Sequence, residues 1–347
     1  MRYDGIIDSG LVPDFLMKAA IKRILAADKR GTDLDAEERM SRLAAFIGEL
    51  DGQPVALRTT DTKRQHYEVP TEFFTQVLGA NMKYSCCLWN DFRPTREDGK
   101  NLEAAETAML DLTAGRAGIK DGMRILELGC GWGSLSLYLA RRFPNSRITA
   151  VSHSATQKAW IDGKAAEERL GNLEVVTADM NDFAAEEGTC DRVVSIEMFE
   201  HMRNYRELFR RISGWLAPGG KFFMHIFTAE GLPSFYDADS DDDWMARNFF
   251  AGGMMPSTEL PLYFADDLAI EKTWKVDGRH YTKTLLAWLQ RMDKRKDGIM
   301  PVLRDTYGED ARRWWHRWRL FFLSCAVFFG YGGGRVWNVT HYLFRKK

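Results

Sequence analysis

Two carboxylates and an imidazole crowd into the run Ser195-Ile196-Glu197-Met198-Phe199-Glu200-His201-Met202. If the chain after Ile196 turns into a helix, Glu197, Glu200 and His201 stand at i, i+3 and i+4 and share one face. Such a trio moves a proton or stabilises a cation. The competing reading is a surface carboxylate beside a helix-facing histidine. Paired Glu-x-x-His motifs of the di-metal kind are missing, so no metal is expected. A second constellation is Ile125-Leu126-Glu127-Leu128-Gly129-Cys130-Gly131-Trp132-Gly133-Ser134, an apolar run that breaks into alternating glycines. The spacing Gly-x-Gly-x-Gly differs from the dinucleotide fingerprint G-x-G-x-x-G, in which a helix N-terminus faces a pyrophosphate. An acidic side chain at Glu127 would repel a phosphate and suits a zwitterionic or cationic ligand.

Weaker candidates lie elsewhere. Val151-Ser152-His153-Ser154 and Gln157 stand where dinucleotide sites carry an acidic ribose ligand, so neutral polar groups would take that role here. Asp179 either hydrogen-bonds an adenine amino group or caps a helix. Cys86, His225 and Tyr281 each look ordinary alone, and His225 reads equally as a satisfied core histidine. The stretch Trp314-Trp315-His316-Arg317-Trp318-Arg319 is either an amphipathic helix packing its tryptophans inward or an interfacial face touching lipid.

These residues need a frame. Residues 11–50 carry apolar positions at helical spacing, with a helix start at Asp14 after Pro13. A polar loop is expected at 52–67, a helix start at 70–79, and an aromatic and sulfur-rich loop at 81–96. From residue 101 the pattern alternates: helix 102–114, strand 123–128, helix 132–142, strand 147–152, helix 155–170 and strand 173–177. Strand 191–196, helix 206–216, a turn at Pro218-Gly219-Gly220 and strand 221–226 follow. Such alternation predicts a mostly parallel, doubly wound α/β sheet with right-handed crossovers. The expected organisation is a helical extension and covering loop over 1–100, then a Rossmann-like domain over 101–347. A lid-like insertion at 229–262 carries the acidic run Asp237 to Asp243. Helices at 283–296 and 309–329 and a strand at 337–344 complete the tail.

A chain of 347 residues, 45% hydrophobic and 28% charged, is ordinary for a globular protein with a sizeable core. Net charge of −1 gives no argument for nucleic acid. Five cysteines, odd in number and without metal-ligand spacing, suggest a reducing compartment. No secretory leader is visible, and Leu320 to Gly330 is about half the length needed to cross a bilayer. A cytoplasmic protein is expected, with a homodimer left open.

Taken together the motifs resemble a class I S-adenosylmethionine-dependent methyltransferase, within the group of cyclopropane fatty acid synthases and coclaurine-type N-methyltransferases. Lys83-Tyr84-Ser85-Cys86-Cys87, the glycine turn, Ile196 to Tyr205, Asp241 to Met245, Phe249-Phe250 and Phe329-Gly330-Tyr331 carry the resemblance, which spans nearly the whole chain. It implies contacts to S-adenosylmethionine at Tyr84, Ser85, Gly129, Gly131, His153, Gln157, Asp179 and Met180. In the N-methyltransferase branch it implies an amine site at Glu197, Glu200 and His201. In the cyclopropane synthases it implies a bicarbonate base held by residues matching Cys86, Glu200, His225 and Tyr281, all present here. The expected activity is therefore methylation of a small, cyclic or aromatic amine. The alternative is methylation or cyclopropanation of unsaturated phospholipid acyl chains at a membrane surface. A family cysteine falls on Cys325, for which methyl transfer requires no nucleophilic role.

Overall fold

The computed structural model describes residues 4–57, 69–236, 239 and 243–347. Most of the expected polar loop at 52–67, and Asp237, Ala238, Ser240, Asp241 and Asp242 of the acidic run, lie outside the described residues.

Strands β1 (Arg124–Leu128), β2 (Arg147–Ser152), β3 (Leu173–Thr177), β4 (Cys190–Ile196) and β5 (Leu216–Ala229) pair in parallel. A short antiparallel pair, β6 (Ser234–Phe235) and β7 (Met254–Met255), stands apart. β8 (Leu268–Val276) and β9 (Trp337–Lys346) finish the main sheet, whose order is β3-β2-β1-β4-β5-β9-β8, with β9 antiparallel to both neighbours. β1 is buried from Ile125 to Leu128 because helices cover both of its faces. The order reverses between β1 and β4, and ligands of open α/β sheets bind beyond the carboxyl ends of strands at that point. Gly129 and Glu197 both leave the sheet there.

The helices are α1 (Asp4–Ser9), α2 (Asp14–Ala27), α3 (Ala36–Asp51), α4 (Thr71–Val77), α5 (Asp98–Ala117) and α6 (Ser134–Arg142). They continue as α7 (Ala155–Glu167), α8 (Tyr205–Trp215), α9 (Gly278–Lys294), α10 (Lys296–Tyr307) and α11 (Ala311–Gly330). Helix α8 shows the local logic. Asn204 caps it by accepting from the Glu207 amide, and Tyr205, Leu208, Phe209, Ile212 and Trp215 form one buried stripe against the sheet.

The structure departs from expectation in four places. Helix α7 stops at Glu167, because Arg169 takes a left-handed φ of 57°. Pro218-Gly219-Gly220 does not separate helix from strand but forms an irregularity inside β5, where the β4 register shifts between Cys190 and Arg192. The tail breaks into α9, α10 and α11, the last two parted at Gly308 with φ 57°. β8 gave no alternating signal because most of its middle is exposed at the sheet edge.

Of the two readings of the tryptophan-rich segment, the structure takes inward packing. Trp315 and Trp318 are buried in α11. Arg317 donates to Asp8 and Asn248, and Arg319 to Asp14 and Asp293, so these cations bind neighbouring elements. Among the described residues no helix is long and apolar enough to cross a membrane.

Candidate active site

The glycine turn after β1 lets backbone meet ligand. Gly129 has φ 77°, and a Cβ added there would lie 2.8 Å from Cβ of Met198 on the neighbouring turn. Gly131 has φ 52° and would meet nothing within 4 Å, because it opens onto a cavity. Below it, Glu127 is buried and accepts a hydrogen bond from the Ser136 hydroxyl. Burial pushes its carboxyl up to about 7, against the opposing pull of Ser136 and of Lys83.

Two adjoining cavities lie over the carboxyl edge of the sheet. Tyr84, Ser85, Gly129, Gly131 and Gln157 line the first. Gly129, His153, Asp179 and Met180 line the second, and Glu197 and His201 belong to both. The loop between α4 and α5 thus brings Tyr84 and Ser85 to the sheet edge, where β2 and β3 deliver the rest. Gln157 accepts from the Ser152 hydroxyl at 2.7 Å. Asp179 accepts from the Asn181 amide at 2.9 Å, so it closes a local turn while facing the cavity. In the first cavity Trp132 Nε1, Ser134 Oγ, Glu200 Oε2 and Trp288 Nε1 are buried with no hydrogen-bond partner among the described residues. Buried polar atoms of this kind are satisfied by ligand or water. With the open face of Gly131 and the Glu127 carboxyl, they fit a zwitterionic, cationic donor such as S-adenosylmethionine.

Glu197, Glu200 and His201 do not share a helix face. Glu197 takes φ 46°, its amide donates to the His225 carbonyl at 2.8 Å, and only Phe199–His201 form a single 3-10 turn. The strained backbone turns Glu197 into the site. All three side chains still line the first cavity.

The expected bicarbonate quartet also rearranges. Cys86 contributes its backbone amide rather than its thiol, donating to Glu197 Oε1 at 2.9 Å, while the thiol turns to the Cys87 carbonyl. His225 Nε2 meets the same oxygen at 3.1 Å, and the Tyr281 hydroxyl donates to Oε2 at 2.5 Å. The Glu197 carboxylate therefore fills the centre of the quartet. Glu200, the fourth member, is buried, and its Oε2 has no hydrogen-bond partner among the described residues. Burial, reinforced by Glu197, drives the Glu200 carboxyl well above the carboxylate range. Burial raises Glu197 too, but Lys83, the Cys86 amide and Tyr281 pull it back. A proton shared by the pair thus rests on Glu200 and leaves Glu197 ionised. His225 is held well below the imidazole range by burial, then by Lys83 and Arg116.

Sequence reasoning missed Lys83, a buried cation bonded to the Ser85 hydroxyl and facing Glu127 and Glu197. Its signals were a lysine in an otherwise aromatic and sulfur-rich loop and its place at the head of the run Lys83-Tyr84-Ser85-Cys86-Cys87. It also missed the apolar wall, built by Tyr236, Met245, Phe250 and Met255 of the insertion with Phe321, Phe328 and Phe329 of α11. Phe250 stacks on His201 at 4.6 Å. Cys325 lines this wall, but burial pushes its thiol up to about 12, so it offers no thiolate.

The mycolic acid cyclopropane synthetase family profile matches residues 56–339. The (S)-coclaurine N-methyltransferase of Thalictrum flavum subsp. glaucum is 36% identical over 98% of this chain and 94% of its own. The Escherichia coli (strain K12) cyclopropane-fatty-acyl-phospholipid synthase is 30% identical over 80% of this chain and 66% of its own. The crystal structure of a coclaurine N-methyltransferase bound to N-methylheliamine and SAH superposes with a TM-score of 0.92 at 36% identity, covering 99% of this chain and 98% of that one. Sheet order, glycine turn and near full-length similarity agree, and the chain belongs to the mycolic acid cyclopropane synthetase family, as an S-adenosylmethionine-dependent methyltransferase.

Proposed function

We propose that this protein methylates the nitrogen of a small cyclic or aromatic amine. The observation that carries this reading is the Glu197 carboxylate, held by three donors on the wall shared by both cavities. The bound cofactor supplies an electrophilic methyl group on a sulfonium. Tyr84, Ser85, Gly129, Gly131, His153, Gln157, Asp179 and Met180 would hold that cofactor, with Glu127 as counter-charge. The aromatic wall from the insertion and α11 packs an aromatic acceptor and excludes water.

An alkylamine is mostly protonated at neutral pH, and its lone pair is then blocked. Glu197 attracts the ammonium and keeps a negative charge beside the nitrogen. Because it already accepts three hydrogen bonds, it is a weak base and a good counter-ion. His201, where the cavities meet, takes the proton and frees the lone pair. Glu200 completes the walls around the nitrogen. Alignment of the two reactants supplies most of the acceleration, about 7–11 kcal/mol in favourable cases. A bicarbonate would have to displace Glu197 from the quartet, which disfavours the acyl-chain reading.

The test uses isotopically labelled S-adenosylmethionine with a panel of cyclic amines and with unsaturated phospholipid vesicles plus bicarbonate, read by mass spectrometry. Label should enter an amine, and Glu197→Gln should lower kcat about 10²-fold or more while SAH affinity stays near wild type. Label entering only lipid, in a bicarbonate-dependent way, would overturn the assignment.

A further inference from the structure

Behind Glu197 a line of buried polar groups runs through the sheet. His225 on β5 stands directly opposite His341 on β9. His225 Nε2 lies 3.1 Å from Glu197 Oε1, and His225 Nδ1 lies 2.9 Å from His341 Nε2. His341 Nδ1 in turn lies 2.9 Å from Nη1 of Arg116, in the last turn of α5. Both imidazoles are almost wholly buried.

Guanidinium has donors and no acceptor, and it keeps its proton in proteins. His341 Nδ1 must therefore accept, which puts the ring's proton on Nε2. That proton points at His225 Nδ1, which must also accept, so the His225 proton sits on Nε2 and points at Glu197. Protonating either ring would set two N–H groups against each other at 2.9 Å. The line runs one way, from Arg116 to Glu197, and cannot carry a proton out.

We propose that Arg116 and His341 are positioning residues that lock the His225 tautomer, so that Glu197 always receives a hydrogen bond and stays a carboxylate. The proposal rests on the amine reading above for its kinetic consequence, but not for the tautomers. Burial, with Arg116 and Lys83, holds both imidazoles well below their usual range, in keeping with neutral rings. The other titratable groups facing Glu197 are Lys83, Cys86, Cys87, Glu200, Tyr281 and Cys325. The thiols and the phenol are pushed upward and stay neutral, and Glu200 holds the shared proton. His225 is thus the donor whose direction can change.

Without the lock, the His225 proton can sit on Nδ1 and leave a lone pair on Nε2 toward Glu197, and the carboxylate loses a constant donor. The acid limb of kcat/KM should then move to higher pH by roughly one unit in Arg116→Met and in His341→Phe, a loss of about tenfold on that limb. Arg116→Lys keeps a donor without an acceptor and should leave the limb where wild type has it. An unmoved limb in Arg116→Met or His341→Phe, or an equal shift in Arg116→Lys, overturns the proposal. Nitrogen NMR of wild-type protein labelled in histidine, assigned with His341→Phe, reads the tautomers directly. Neutral Nε2–H rings at both positions from pH 6 to 8 are expected. An Nδ1–H ring or an imidazolium would overturn the proposal even if the variants do not fold. If wild type methylates no amine, the functional reading fails while the spectra still decide this one.

Discussion

Glu127 is a side chain of the cofactor cavity that burial brings to titrate near neutral pH. Its carboxyl, lifted by burial to about 7, is half protonated where most assays run. A cationic cofactor prefers the ionised form, so binding at lower pH must first release a proton. Affinity for S-adenosylmethionine should therefore weaken as pH falls from about 7 to 5.5, by up to tenfold per unit, while the cofactor's own ammonium stays charged. In Glu127→Gln the affinity should be weaker and nearly flat over the same range. Titration calorimetry checks both, and a wild-type affinity constant across that range would remove Glu127 from the role of counter-charge. Glu197 and Glu200 show the same physics at closer quarters: three donors keep one ionised, while burial and the charge of Glu197 keep the other protonated.

At the scale of the element, the β1–α6 connection separates folding from binding. Gly129 and Gly131 both hold left-handed backbone, which costs a residue bearing a Cβ about 1–2 kcal/mol. Only Gly129 also meets a neighbour, Met198, at 2.8 Å. Gly129→Ala should lower both the thermal midpoint and cofactor affinity, since the turn carrying Glu197 must move with Met198. Gly131→Ala should lose cofactor affinity with a much smaller thermal loss, because its methyl group enters the cavity rather than the core. Parallel thermal melts and calorimetry give the comparison, and equal thermal losses in the two variants would contradict it.

Across the whole molecule, one tryptophan joins three parts of the chain. Trp318 of α11 is fully buried, 4.8 Å from the ring of Phe73 in α4 and 4.9 Å from Phe249 in the insertion. The insertion and the N-terminal segment thereby share a core with the C-terminal helix that backs the acceptor cavity. Trp318→Ala should cost roughly 3–5 kcal/mol in urea denaturation, in line with other deletions of large core aromatics. A cost under about 1 kcal/mol would mean these segments pack independently.

Much of this architecture was legible because it is local. Strand–glycine–helix punctuation around Gly129 and alternating apolar periods from residue 101 place β1 to β4 within a residue of where they lie. Residues 84–86, 197–201, 225 and 281 were visible as chemistry-bearing types. Their arrangement was not, because long-range contacts decide it. The left-handed φ of Glu197 depends on a hydrogen bond to His225 on another strand. Lys83 becomes a buried cation only when the α4–α5 loop folds over the sheet, and β8 forms because β9 offers an edge. The quartet's residue types could be read from the chain alone. That Glu197 fills its centre, with its direction of hydrogen bonding set from Arg116 through His341, follows only from six segments meeting in space.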